Sequence, residues 1–188
     1  MTALCFAQCL SGPISTRVGI KAGINPGTYE PGDTLGNMTG TGMHFGLGMG
    51  TDFFNLVSLD MGAQFRTTRY GRDESLGRIT HSYNNLYFPI FLSVKAGMLP
   101  LISPYAGAGI GINVQFEGTR RWEPDGVAVE TPIDGATNAY FILGLGAEFK
   151  LIKFRICPEF TWNIKPDSED QVDKYTDYHL SVGLFYTP

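Results

Sequence analysis

Nowhere does this chain stay apolar for the roughly 18–20 residues that a membrane-spanning helix requires, so any bilayer crossing would fall to strands. Charge is scarce as well. Lys, Arg, Asp and Glu make up 17% of the 188 residues, against about 25% in an ordinary soluble domain. A formal net charge of −4 and the lack of a basic stripe argue against a nucleic-acid partner. Cys5, Cys9 and Cys157 are the three cysteines, an odd count that offers no disulfide framework. P-loop, zinc-ligand and dinucleotide motifs are absent too, so no cofactor or metal is expected.

What is present is glycine, at 24 residues, and a strict alternation of apolar with small or polar residues. Leu86, Phe88, Ile90, Leu92 and Val94 share one face; Tyr87, Pro89, Phe91, Ser93 and Lys95 share the other. Side chains on a strand point alternately to opposite faces, so this segment is a strand with one apolar side. The same period predicts eight strands, over 16–25, 42–51, 56–70, 84–95, 104–117, 137–150, 153–164 and 176–187. Cores of about 9–12 residues match a tilted strand crossing a bilayer.

The connections alternate in length. Those around Asp52–Asn55, Ala96–Ser103 and Leu151–Ile152 read as tight; those over Pro26–Thr41, Gly71–Tyr83, Gly118–Ala136 and Lys165–Tyr175 read as long polar loops. Short turns at one end and long loops at the other are the pattern of outer-membrane barrels. The expected fold is therefore all-β: an eight-stranded antiparallel up-and-down transmembrane β-barrel over 16–188. Residues 1–15 are expected to be an N-terminal segment that includes a signal-peptide remnant. Phe-Ala-Gln before Cys9 is a poor lipoprotein processing site.

A soluble lipocalin-like ligand-binding barrel would alternate too, with its apolar face inward. Bulk decides between the two. An eight-stranded interior is only wide enough for its side chains to fill it, and the large apolar set here would overfill it. The opposite set, rich in glycine and carrying charges of both signs, suits a lumen. Its polar members are Lys21, His44, Asp60, Gln64, Arg66, Lys95, Glu148, Arg155, Glu159 and His179. Lys21, Asp60, Lys95, Glu148 and Arg155 are expected at one level in the tight-turn half, and His44, Gln64, Arg66, Glu159 and His179 higher. Buried charges must pair, so a plugging network is expected, with an ion- or proton-conducting path as the alternative.

Aromatics are expected in two girdles: Tyr70, Tyr83, Phe88, Phe116, Phe141, Trp162 and Tyr178 toward the long loops, and Phe53, Phe54, Phe149, Phe154 and Tyr186 toward the tight turns. Pro89 and Pro158 fall inside strands, where each removes a ladder donor. A bulge or a lost hydrogen bond is expected at each.

Gly19-Ile-Lys-Ala-Gly-Ile-Asn25, Asn85-Leu-Tyr-Phe-Pro-Ile-Phe-Leu92, Pro104-Tyr-Ala-Gly-Ala-Gly-Ile-Gly-Ile112 and Leu180-Ser-Val-Gly-Leu-Phe-Tyr186 resemble strands of the PorT-like, OmpX/OmpA-like family of small outer-membrane β-barrel domains. The resemblance covers most of 16–187. It implies a Gram-negative outer membrane and insertion by the barrel-assembly machinery, with outer-membrane lipid and lipopolysaccharide as surroundings.

Three further features invite chemistry. His179-Leu-Ser181 puts a histidine and a serine on one strand face, as in outer-membrane lipid A deacylases, with Glu159 on the neighbouring strand. Catalysis needs a base in reach of the nucleophile and a group to orient it, and a lumenal pair is out of reach of a lipid ester. Asp167-Ser-Glu-Asp170 with Asp173 is a carboxylate cluster of the kind hard cations favour, though a solvated acidic loop is the plainer reading. Arg120-Arg121-Trp122 is a candidate contact for lipopolysaccharide phosphates, against an ordinary exposed loop. The expected function is non-enzymatic: a structural or interaction role in the cell envelope through four external loops, with a narrow pore for ions or small solutes as the alternative.

Overall fold

A computed structural model describes residues 14–30, 36–75, 77–96, 101–116, 118–124, 127–166 and 174–188. Every element among the described residues is a strand. In chain order they are β1 (Ser15–Ile24), β2 (Gly27–Glu30), β3 (Met38–Phe53), β4 (Val57–Glu74), β5 (Gly77–Lys95), β6 (Ile102–Gln115), β7 (Gly118–Glu123), β8 (Val129–Ile133), β9 (Ala136–Leu151), β10 (Phe154–Ile164) and β11 (Lys174–Tyr186). All pairings are antiparallel. The long strands pair in the order β1, β3, β4, β5, β6, β9, β10, β11, and β11 pairs in turn with β1 from Val18↔Tyr186 to Ile24↔Leu180.

The predicted strands are all present, and the predicted phase sorts their side chains. Met43, Phe45, Leu47, Phe141, Leu145, Leu92 and Val182 are exposed, whereas His44, Gln64, Lys95, Glu148 and His179 are buried. Glycines on the buried face make room for large rings. A Cβ on Gly111 would collide with the Tyr87 ring, and one on Gly146 with the Tyr105 ring.

The long connections depart from expectation. β4 continues to Glu74 and β5 starts at Gly77, so Gly71–Tyr83 is mostly a hairpin and not an irregular loop. β7 and β8 occupy much of Gly118–Ala136, and β2 bridges β3 and β11. The reason is that alternation persists there in a weaker form. Tyr70, Ile79 and Tyr83 still point to the buried face, packing with Tyr29 and Met38, while the opposite face turns polar. This also corrects the upper girdle. Tyr70 and Tyr83 lie on the buried face, whereas Phe88, Phe116, Phe141, Trp162 and Tyr178 are exposed as expected. At the other end Phe54, Phe149, Phe154 and Tyr186 are exposed.

Both prolines interrupt one ladder without shifting it. β4–β5 pairing stops after Met61↔Ile90 and resumes at Gln64↔Tyr87 in the same register, while Pro89↔Gly111 persists on the other side. β10–β9 pairing skips from Ile156↔Phe149 to Glu159↔Gly146, again in register, with Pro158↔Val182 kept. The outcome is lost pairing rather than a bulge.

The tight turns are built from left-handed residues. Phe54 and Asn55 both have positive φ, and the Leu56 amide donates to the Phe53 carbonyl at 3.1 Å, which is the geometry of a type I′ hairpin turn. Between β9 and β10, Ile152 holds φ 50° with its side chain fully exposed. A β-branched residue is strained there. Ile152→Asn relieves that strain with no packing to lose, and is expected to stabilise the fold by about 1 kcal/mol. A thermal unfolding midpoint no higher than wild type contradicts this account.

Candidate functional site

Six strands send polar side chains into one buried cluster at the tight-turn end. Arg17 (β1) reaches Asp52 (β3) at 2.8 Å, Glu148 (β9) at 3.0 Å, Asp60 (β4) at 2.6 Å and Ser58 (β4) at 2.9 Å. Lys95 (β5) donates to Asp52 and to Glu148, each at 2.7 Å. Arg155 (β10) bonds Glu148 at 3.0 Å and also Asp52. Ser58 Oγ donates to Asp60 at 3.1 Å, and the Phe185 ring of β11 lies 5.4 Å from the Arg17 guanidinium carbon. Three buried cations therefore face three carboxylates, and the more exposed Lys150 stands 3.8 Å from Glu148 at the edge of the group. Glu148 is 0% exposed, Asp52 1% and Lys95 2%. Burial this deep is tolerable because each charge meets opposite charges at hydrogen-bond distance.

One member of the predicted level is elsewhere. Lys21 pairs with Glu159, which also accepts from Tyr105 Oη at 3.0 Å. Lys21 lies four residues beyond Arg17 on β1, about 13 Å along a strand, so it belongs to a separate tier. Its place in the cluster is taken by Arg17 and Asp52, neither of which was singled out from the sequence. The signal was present, since Arg17 shares parity with Gly19 and Lys21, and Asp52 with His44 and Gly46. Asp52 falls where the sequence predicts a tight turn, whereas β3 continues to Phe53.

Above the Lys21–Glu159 pair, Arg66 Nη2 meets His179 Nδ1 at 3.1 Å, and its guanidinium carbon sits 3.1 Å from the centre of the Tyr87 ring. Tyr87 donates to Asn163 at 2.9 Å, and Asn163 Nδ2 lies 2.7 Å from His179 Nε2. The His44 and His179 rings lie 5.2 Å apart, tilted by 36°. Higher still, Tyr70 donates to Asp177 at 2.6 Å. Tyr87, Tyr105 and Asn163 fall outside the predicted polar set, although parity places Tyr87 on the same inner face as Lys95. A cavity of about 60 Å³ is lined by Arg17 and Asp60, by Lys21 and Glu159, and by His44 and His179, with Gln64 also on its wall.

The histidine–serine pair lacks the contact that catalysis needs. His179 engages Arg66 and Asn163, and Ser181 Oγ has no hydrogen-bond partner among the described residues. Cys157 is a buried free thiol. The acidic run Asp167–Asp170 with Asp173, and Cys5 and Cys9, lie outside the described residues. Among the described residues no three His, Cys, Asp or Glu side chains are grouped to hold a metal.

No family model matches the chain, and no curated protein does. Solved structures do. Neisserial surface protein A superposes with a TM-score of 0.52 at 13% identity, over 93% of this chain and 99% of that one. The outer membrane protein OprG from Pseudomonas aeruginosa gives 0.53 at 13%, over 94% and 98%. The similarity is one of fold: an all-β antiparallel architecture of the outer-membrane barrel kind.

Removing one carboxylate from the cluster leaves three cations sharing two. Glu148→Gln is expected to destabilise the protein by about 3 kcal/mol, with the paired replacement Lys95→Met/Glu148→Leu costing less. Equal unfolding midpoints for Glu148→Gln and wild type contradict a network held by charge pairing.

Proposed function

We propose that the circuit of strands is an eight-stranded antiparallel barrel spanning the bacterial outer membrane, its lumen plugged by the charge network. Its role is structural or interactive and non-enzymatic, exercised through the strand extensions and loops at one end. The observation that carries this reading is the exposed face. Met43 is 68% exposed, Leu47 65%, Phe45 61% and Leu145 60%, and they belong to one set that recurs on all eight long strands. Monomeric soluble proteins rarely show apolar patches beyond a few hundred Å². Hydrocarbon is the solvent in which such a face is stable, and it also requires that no strand edge be left open. The pairing of β1 with β11 supports such closure.

The soluble, lipocalin-like alternative would turn this apolar set inward, where charge is found instead. Against a narrow pore stands the Arg17–Asp52–Lys95–Glu148–Arg155 cluster, which bridges strands on opposite sides of the interior. The PorT-like resemblance supports the same kind of protein on the sequence motifs alone, and insertion by the barrel-assembly machinery is part of the proposal.

Two measurements test it. The purified protein is expected to need detergent, and to aggregate when detergent is removed; a monodisperse amphiphile-free form overturns the membrane reading. In planar bilayers, wild type is expected to be silent and Lys95→Ala/Glu148→Ala to show discrete conductance steps. Steady wild-type conductance favours the pore, and identical traces for the two proteins overturn the plug.

A further inference from the structure

Beyond the apolar band, strand register assembles an arginine-flanked groove on the outward face. Thr41, Arg69, Ser82 and Thr119 stand side by side across β3, β4, β5 and β7. The next row is Thr39, Gly71, Thr80 and Arg121; the one beyond, on β4, β5 and β7, is Asp73, Arg78 and Glu123. Directly opposed residues of antiparallel strands face the same side. These rows therefore continue the face that carries Met43, Phe65 and Leu86 lower down. Arg69 lies four residues past Phe65, about 13 Å along a tilted strand, which is the height of the headgroup layer if the apolar band spans the hydrocarbon.

Two details make this a groove with donors rather than a scatter of charges. First, Gly71 leaves the floor open, so the Arg78 side chain lies over it: a Cβ there would stand 3.4 Å from Arg78 Nη2. This brings Arg78 toward Arg69, and its contact with Asp73 is a loose 3.7 Å between exposed groups. Second, Arg69 is exposed and makes no hydrogen bond or ion pair among the described residues. Glu123, at the far end, is held by Arg121 at 2.5 Å. Thr39, Thr41 and Thr80 line the same groove with hydroxyls. Arg120 pairs with His81 on the opposite face and takes no part.

We propose that this groove binds the phosphate group of a membrane lipid, in the manner of a phosphorylated glycolipid headgroup. Arg69 and Arg78 present planar guanidinium donors that suit a phosphate monoester, and the threonine hydroxyls supply further bonds. The groove opens sideways, on the face continuous with the apolar band, so a phosphate attached to acyl chains reaches it while those chains lie against Phe65 and Leu86. The inference rests on the transmembrane reading and puts Arg69 and Arg78 in the place of the Arg120–Arg121 candidate, whose Arg121 is engaged by Glu123.

The test is native mass spectrometry of the detergent-purified full chain, offered lipid A with its phosphates and, separately, dephosphorylated lipid A. Wild type is expected to retain the phosphorylated form and to discriminate against the other. Arg69→Gln/Arg78→Gln is expected to lose about ten-fold in retention, as the loss of charge-assisted bonds implies, while Arg120→Gln behaves as wild type. The folded band on an unheated gel verifies that each variant is intact. Equal retention by the double variant and wild type, equal retention of both lipids, or displacement by millimolar inorganic phosphate overturns the lipid-phosphate site. A chain that stays dispersed without detergent instead removes the membrane reading beneath it, so the two failures are distinguishable.

Discussion

Three cations and three carboxylates shut away from water have to find one another, and that requirement ties together strands far apart in sequence. Arg17 and Glu148 are 131 residues apart, yet they meet at 3.0 Å. A charge left alone at this depth would cost several kcal/mol, so register errors on β1, β3, β4, β5, β9 or β10 are penalised together. A slip of one residue on any of them would turn its charge outward and its apolar residues inward. The network thus specifies the circuit of strands as much as it occupies the space inside.

The exposed face makes the complementary demand. It carries no charge within the apolar band, and it places aromatics toward the two ends, with Phe160 and Trp162 stacked on Tyr178 at one end and Phe154 against Tyr186 at the other. The two faces share one backbone, and the period of two keeps them apart. Glycine on the inner face is what allows tyrosine rings to lie flat against neighbouring strands, as Tyr87 does over Gly111. The interior is filled by a few large polar side chains lying over small residues, and not by an even layer of apolar ones.

How much of this was legible follows from which signal each residue carries. Strand existence and facing were readable because alternation is a property of every residue in a stretch. Lys95, Glu148, Asp60 and Arg155 were readable as one cluster because each interrupts an otherwise small or apolar phase. Arg17 and Asp52 obey the same parity but sit at strand ends, where turn chemistry competes for the assignment. Tyr70 and Tyr83 were misplaced for the opposite reason: their ring chemistry suggested an interfacial girdle, although parity put them inside. Lys21 was placed on the right face but at the wrong height, since height depends on strand stagger, which a period of two does not encode. The extensions β2, β7 and β8 were hidden because a strand with two polar faces, or with its apolar residues spaced widely, looks like a loop.

The prolines show how the architecture tolerates a broken rule. Each removes pairing on one side only, and each keeps its partner on the other, Gly111 for Pro89 and Val182 for Pro158. Pairing on the broken side resumes after two missing pairs with no change of register, which a bulge would have forced. A bulge would reverse the facing of every residue beyond it. On β10 that would expel Glu159 from its bond with Lys21; on β5 it would displace Lys95 or Tyr87. Losing one ladder bond costs about 1 kcal/mol, less than exposing a buried charge to an apolar surface. The local defect is the cheaper of the two, and the buried charges fix which one the chain adopts.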